Sequence, residues 1–146
     1  MARKTLFHFA PLGWLLDFVN TIPVEREGFG VGGIRETLKR LKRGEMVLLF
    51  PEGTRSPDGE IQHFKQGFAT LARRSRVALV PVGVDGAYDA WPRSERFPQL
   101  GRVRVVVGKP LAPELVETLD DRELMDELKQ RIIDCIAEAR ERKDKP

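Results

Sequence analysis

The chain has 146 residues, of which 41% are hydrophobic and 32% are charged, and its formal net charge is +3. This composition predicts one soluble globular domain spanning residues 1–146. The single cysteine, Cys135, excludes an internal disulfide and indicates a reducing compartment. No secretory signal peptide is predicted, and no segment approaches the roughly 20 apolar residues that a membrane-spanning helix needs.

The basic residues are concentrated in the first three quarters of the chain. Residues 1–110 carry 18 Lys and Arg against 11 Asp and Glu, whereas residues 111–146 carry 7 against 11. A basic body suits an anionic membrane surface, which offers about 1 kcal/mol for each nearby basic residue. An ordinary solvated basic face explains the charge equally well. Nucleic acid is not an expected partner, because no nucleic-acid-binding motif accompanies the basic residues.

The first half of the chain predicts two helices and two strands. Residues 11–19 predict a short helix, and residues 21–24 predict a strand. A second helix begins at residue 31 and ends at Gly44, with an apolar stripe formed by Val31, Ile34, Leu38 and Leu41. Residues 46–50 are continuously apolar and end at Pro51, a pattern typical of a buried strand that opens into a tight loop.

The second half continues the alternation of helices and strands. Residues 67–76 predict a helix, residues 77–84 and 103–107 predict strands, and Asp120 and Asp121 open a last helix. The inward positions of that helix, within a C-terminal helical extension over residues 111–146, are Leu124, Leu128, Ile132 and Cys135. The expected fold class is therefore α/β, with a mostly parallel sheet flanked by helices.

The loop after the apolar run at residues 46–50 carries the strongest chemical signal. In open α/β sheets, ligands lie outside the carboxyl ends of the strands. Gly53 allows close backbone approach, Thr54 can donate a hydrogen bond, and Arg55 can hold a phosphate through two parallel hydrogen bonds. The loop therefore predicts recognition of an anion, for which a phosphate is the best fit. The alternative role for Arg55 is a structural ion pair with Glu52, which we expect to hold the loop.

Two further basic residues are candidates for the same anion. Lys65 precedes a predicted helix, so its ammonium and the exposed N–H groups of the helix could share a phosphate. An ordinary surface lysine is nearly as good an explanation. Arg26 follows the end of a predicted strand and could contact the phosphate from the opposite wall.

Three segments have the order and spacing of known motifs: Ile-Pro-Val-Glu-Arg at residues 22–26, Phe-Pro-Glu-Gly-Thr-Arg-Ser at residues 50–56, and Val-Pro-Val at residues 80–82. Together they resemble the PlsC-type glycerophospholipid acyltransferase family over most of residues 3–110. The resemblance implies a glycerol-3-phosphate acyltransferase-like fold. It also implies that Arg26 binds the acyl acceptor, that the second motif binds its phosphate, and that Val80, Pro81 and Val82 lie on the acyl-chain side.

The family's reaction moves a fatty acyl group from acyl-CoA or an acyl carrier protein to lysophosphatidate, giving phosphatidate. By this resemblance the chain is expected to work in phospholipid biosynthesis in the cytoplasm, peripherally on the inner face of the cell membrane. No metal or bound cofactor is expected, because the sequence offers no ligand cluster. The apolar and aromatic stretch over residues 6–16 fits either a core helix or a membrane-interface segment.

One departure from the family's pattern concerns catalysis. The family's His-x-x-x-x-Asp motif is absent, since neither His8 nor His63 is followed by an aspartate five residues later. A base that takes the hydroxyl proton contributes roughly 10²–10⁴-fold to the rate. We therefore expect the chain to bind a lysophospholipid but to acylate it poorly, and we expect an N-terminal truncation to have removed the upstream segment that carries the motif.

Substitutes for the missing pair are weak. His8 lies in an apolar context and is expected to be packed or interfacial. His63 is close to the phosphate loop in sequence and is a less favoured candidate for the missing base. Cys135 is expected to be an inert core residue rather than an acyl-carrying nucleophile. Two other hypotheses stay open: a non-catalytic module that binds lysophospholipid phosphate, and an incompletely folded fragment.

Overall fold

The computed structural model describes residues 2–3, 14, 18, 22–24 and 31–142. These residues divide into two compact units. The first unit comprises the described parts of Met1–Gly53 together with Phe64–Ser75, and the second comprises Thr54–His63 and the described part of Arg76–Pro146. None of the helices in the described ranges combines the length and apolar character needed to cross a membrane.

The first unit packs two helices against each other. Helix α1 spans Val31–Lys42 and helix α2 spans Gln66–Ser75, which confirms both predicted helices. The face of α2 that enters the core consists of Phe68, Ala69, Leu71 and Ala72. On α1, Thr37 is fully buried and donates its hydroxyl to the Gly33 carbonyl at 2.8 Å, which satisfies its only donor. Two short parallel strands, β1 (Ala2–Arg3) and β2 (Pro23–Val24), complete the described part of this unit.

The second unit is built on an antiparallel strand pair. Strand β3 spans Val82–Asp85 and strand β4 spans Arg104–Val107, with Val82 opposite Val107 and Val84 opposite Val105. Between them lies a short helix, α3, at Ala87–Ala90. Two helices follow β4: α4 at Pro113–Thr118 and the 21-residue α5 at Asp121–Glu141.

Helix α5 forms the core of the second unit by packing against both strands. The predicted last helix is confirmed, and so is its opening, because Asp120 accepts hydrogen bonds from the N–H groups of Arg122 and Glu123, both at 2.8 Å. The Glu123 carboxylate in turn accepts a hydrogen bond from the Asp120 N–H, which completes a capping box. The residues that α5 buries are Leu124, Leu128, Cys135 and Ala139. Helix α5 therefore contributes buried side chains to the core of the second unit.

The buried strand predicted at residues 46–50 is wrong. Met46 is 99% exposed and Leu48 is 65% exposed, and no described residue pairs with this segment as a strand. Exposure alternates along the run, since Val47 and Leu49 are half-buried. A continuous apolar run indicates burial on both faces only where neighbouring strands and helices cover it.

The sheet also differs from the expected one. The strand predicted at residues 77–84 begins only at Val82, because Pro81 has no N–H to place in a ladder. Leu79 instead exchanges two backbone hydrogen bonds with Leu111, at 3.0 and 2.8 Å. Within the described residues, the four-residue pair β3–β4 is antiparallel and only β1–β2 is parallel. The link between β3 and β4 contains one four-residue helix, and it returns the chain in the opposite direction.

Candidate phosphate-binding site

The predicted phosphate loop is divided between the two units, and its first part is a turn in the first unit. The Gly53 N–H donates to the Phe50 carbonyl at 3.0 Å, and the Lys65 N–H donates to the Pro51 carbonyl at 2.9 Å. Gly53 has a φ of +69°, where a side chain is strained. A Cβ atom here would also lie 3.4 Å from Cγ of Lys65. The turn therefore needs glycine, and the Lys65 side chain lies along it.

Lys65 stands immediately before α2. Its carbonyl accepts the Phe68 N–H at 2.9 Å, and its side chain is exposed. Helix α2, which follows Lys65, has ten residues, and whether the Lys65 ammonium and the first N–H groups of this helix share an anion stays a prediction. Glu52, also in the first unit, is half-buried and has an interaction partner.

The second part of the loop, beginning at Thr54, belongs to the second unit. Thr54 and Arg55 are both exposed. The guanidinium carbon of Arg55 lies 5.2 Å from the ring centroid of Trp91. A cation at this distance over an indole face is attracted by the ring quadrupole. Because Arg55 is also exposed, a ligand from solvent can reach its guanidinium.

Beyond Arg55 the loop is held by its own polar side chains. The Ser56 hydroxyl accepts the Gly59 N–H at 2.9 Å and lies 2.8 Å from the Glu60 carbonyl, to which it donates. Asp58 accepts the Glu60 N–H at 3.0 Å and the Gln62 amide at 2.9 Å. These donors, with the Glu60 N–H first, lower the pKa of the Asp58 carboxyl.

Helix α3 is fastened to the same loop. The Tyr88 hydroxyl donates to the Pro57 carbonyl at 3.1 Å. Gly59 has a φ of +87°, and a Cβ atom built there would lie 3.1 Å from the Tyr88 ring. The tyrosine ring therefore packs directly on the glycine, and the loop and α3 form one contact surface.

The remaining predicted site residues are spread over the second unit or lie outside the described residues. Val80 is exposed, Pro81 is buried, and Val82 is half-buried, so the three do not form one uniform surface. His63 is exposed. Arg26 and His8 lie outside the described residues.

Cys135 is a buried core residue, as predicted. It lies with Val106 and Ala139 in one buried cluster. Burial raises the pKa of its thiol, the nearby Glu138 carboxylate raises it further, and a hydrogen bond with the Gly83 backbone opposes them. A thiol with a raised pKa is a poor nucleophile.

Tyr88 and Trp91 are the residues at this site that sequence reasoning missed. The two aromatic residues stand three positions apart, Tyr88 on α3 and Trp91 directly after its last residue, and Gly86 precedes the helix. That pattern was visible, but nothing local to it indicates which loop the two rings would contact. Across the described ranges, no cluster of three or more His, Cys, Asp or Glu side chains is arranged to hold a metal ion.

Comparison with known proteins identifies relatives of one kind. The family model described as acyltransferase matches residues 1–85. A chloroplastic 1-acyl-sn-glycerol-3-phosphate acyltransferase of Arabidopsis thaliana is 33% identical over 114 residues, covering 76% of this chain and 32% of that protein. The 1-acyl-sn-glycerol-3-phosphate acyltransferase of Bacillus subtilis is 34% identical over 111 residues, covering 76% of this chain and 53% of that protein.

A solved structure is also similar. The crystal structure of the 1-acyl-sn-glycerophosphate acyltransferase PlsC from Thermotoga maritima superposes with a TM-score of 0.77 at 25% identity. The match covers 99% of this chain and 56% of that one. The chain thus spans between about a third and a half of the curated relatives named above, and slightly more than half of this structural neighbour.

Proposed function

Because this chain belongs to the PlsC-type acyltransferase family, we propose that it supplies the acceptor side of a lysophosphatidate acyltransferase. The reaction moves a fatty acyl group from acyl-CoA or an acyl carrier protein to the free hydroxyl of lysophosphatidate, and the product is phosphatidate. The names of the relatives, 1-acyl-sn-glycerol-3-phosphate acyltransferases, support this acceptor. The choice between the two donors rests on the family resemblance alone.

The observation that carries the proposal is the geometry of Arg55. Arg55 is exposed, and its guanidinium carbon lies over the Trp91 ring, 5.2 Å from the ring centroid. No ion pair with Arg55 forms among the described residues of the second unit. A guanidinium presented this way can hold two oxygens of a phosphate monoester at once. Thr54, exposed beside it, has a hydroxyl that can donate to the same phosphate.

Three other residues are proposed as anion ligands on weaker grounds. Gly53 and Lys65 lie in the first unit, and both residues are exposed. Arg26 is assigned by the family motif only. Glu52 is proposed to hold the turn at Pro51.

The acyl-chain side is proposed to include Val80 and Val82. On β3 and β4 the paired valines Val82 and Val107 lie on the face opposite α5, and Val107 is exposed there. Val105 and Val84 form the next pair on that face, and both are exposed. An exposed row of valines is an apolar surface of the kind that a fatty acyl chain fits.

The sequence lacks the motif whose histidine would take the proton of the acceptor hydroxyl. Attack on a thioester requires a base, and the chain has no His-x-x-x-x-Asp pair. The chain alone is therefore expected to bind acceptor and to transfer acyl groups slowly. The second candidate function is a non-catalytic module that binds lysophospholipid phosphate through the same exposed Arg55.

The membrane is the proposed location of the acceptor. We place the protein in the cytoplasm, peripherally on the inner face of the cell membrane. In the first unit, Trp14 and Phe18 are helical, 72% and 76% exposed, and stacked at 6.0 Å between ring centroids. Exposed aromatic pairs of this kind suit the interface between headgroups and acyl chains.

Binding of a short-chain lysophosphatidate to the full chain, measured by isothermal titration calorimetry, tests the acceptor assignment. Arg55→Ala should weaken binding about 10-fold or more, because hydrogen bonds to a charged ligand are lost. Arg122→Ala is the matched control, since Arg122 is an exposed arginine 3.9 Å from Asp126 on α5. Equal affinity of wild type and Arg55→Ala would contradict the proposal.

A transfer assay separates the enzyme from the binding module. A segment that carries a His-x-x-x-x-Asp motif is joined upstream, and transfer from acyl-CoA and from acyl carrier protein is measured. If the chain is part of an acyltransferase, phosphatidate should form, and its rate of formation should depend on Arg55. Binding without transfer to any lysolipid would leave the non-catalytic module as the function.

A further inference from the structure

We propose that Trp91 is the positioning residue for Arg55. In this reading the indole face orders the guanidinium before the phosphate arrives. The inference rests on the proposed function, since it assumes that Arg55 binds the acceptor phosphate. No motif of the family resemblance includes Trp91, which lies between the matched segments at residues 80–82 and the end of the similarity near residue 110.

Trp91 is held by two hydrogen bonds, one from its indole and one from its backbone. Its Nε1–H donates to the Glu95 carbonyl at 3.1 Å, and the Trp91 backbone N–H donates to the Ala87 carbonyl at 3.0 Å. Trp91 as a whole is 46% exposed, and its ring lies beneath the Arg55 guanidinium. A ring fixed by its own hydrogen bond can orient a flexible neighbour.

The short helix α3, which ends directly before Trp91, is also held by neighbouring segments. The Gln99 N–H donates to the Ala90 carbonyl at 2.7 Å, which ties the following segment back to α3. Tyr88, on the same helix, donates to the Pro57 carbonyl and packs on Gly59. Arg55 is thus followed directly by a loop segment that the same helix holds.

Ordering Arg55 before the phosphate binds is favourable because a free arginine side chain is flexible. A free guanidinium on a three-carbon stem must give up rotamer freedom when it binds a phosphate. Contact with the Trp91 ring reduces that freedom beforehand, so less of the binding energy is lost to ordering.

The test uses the full chain and a short-chain lysophosphatidate. Trp91→Leu should weaken binding about 3- to 30-fold, the range that a cation–π contact of this kind supports. Trp91→Phe keeps an aromatic face and should recover most of the loss. Phe97→Leu is the matched control, because it removes the other arginine–aromatic pair of this unit, in which Arg96 lies 5.6 Å from the Phe97 ring. That control should leave binding unchanged.

Non-additivity distinguishes positioning from a general structural effect. If Trp91 acts through Arg55, the double variant Arg55→Ala/Trp91→Leu should bind no more weakly than Arg55→Ala alone. In the free protein, NMR of the Arg55 side chain should show a ring-current shift that Trp91→Leu abolishes and Trp91→Phe retains. Trp91→Met serves as the non-aromatic comparison if the leucine variant fails to fold.

The outcomes for the two proposals differ. If Arg55→Ala weakens binding and Trp91→Leu does not, the positioning role is overturned while the phosphate assignment stands. Additive losses in the double variant also overturn it. If Arg55→Ala has no effect, the phosphate assignment fails, and the positioning role fails with it.

Discussion

Burial determines the chemistry of the single cysteine at the residue scale. Cys135 is enclosed by β3, β4 and its own helix, and its thiol pKa is raised chiefly by loss of solvent. The absence of an adjacent histidine in the sequence already argued against a nucleophile. The structure adds the physical reason, because a thiolate at this position would be both desolvated and close to the Glu138 carboxylate.

The raised pKa predicts a loss of stability in alkali. Below the unfolded-state value, about 8.5, the thiol is protonated in both states and its contribution is intact. As the pH rises further, the unfolded chain releases the proton first, so stability falls until the pH passes the folded-state pKa. Urea unfolding of wild type and Cys135→Ala between pH 7 and 10 should show a steeper decline for the wild type. Parallel pH profiles would contradict this account.

At the element scale, the contact between β3 and α5 depends on a glycine. A Cβ atom at Gly83 would lie 2.6 Å from the Ile136 backbone nitrogen and 2.7 Å from Cβ of Cys135. The helix can approach the strand this closely only because position 83 has no side chain. The alternation of Gly83 and Val106 toward α5, and of valines away from it, follows from the pleat of the two strands.

Gly83→Ala should therefore destabilise the protein by about 1–3 kcal/mol, since backbone atoms must move to admit the methyl group. Gly32→Ala is the contrasting variant, because the added Cβ on α1 has no atom within 4 Å. It should stabilise by about 0.5–1 kcal/mol through helix propensity. Urea titrations of both variants measure the two changes. A neutral Gly83→Ala would show that α5 packs more loosely than this contact implies.

Charge acts at the scale of the whole molecule. The net charge of +3 arises from a strongly basic stretch over residues 1–110 and a mildly acidic C-terminal stretch. Electrostatic attraction to an anionic surface is screened by salt, whereas insertion of aromatic side chains is not. The two contributions to membrane binding can therefore be separated by ionic strength.

Co-sedimentation with vesicles tests this expectation. The full chain should bind vesicles rich in phosphatidylglycerol at 50 mM salt and should lose most of that binding at 500 mM salt, because about 1 kcal/mol per contacting basic residue is screened. Phosphatidylcholine vesicles are the control. Trp14→Ser/Phe18→Ser should lower the binding that survives high salt. Equal binding to both vesicle types would contradict a basic membrane surface.

Local signals in the sequence were sufficient to predict several elements and the tight turn at Gly53. Periodicity and capping predicted α1, α2 and α5, because helices are stabilised by contacts three or four residues apart. The Pro-Glu-Gly-Thr-Arg run predicted a tight turn and an anion ligand, since those properties belong to the residues themselves. The missing His-x-x-x-x-Asp motif was also readable directly.

Only the tertiary structure determined the burial, strand pairing and contacts that involve residues distant in sequence. The exposure of Met46 and Leu48 and the antiparallel pairing of β3 with β4 depend on which segments lie beside them. The contact of Arg55 with Trp91 joins residues 36 positions apart, and no local pattern specifies it. A sequence by itself therefore determines backbone preference and the chemical groups available, whereas burial and partners are determined only when the folded chain brings distant residues together.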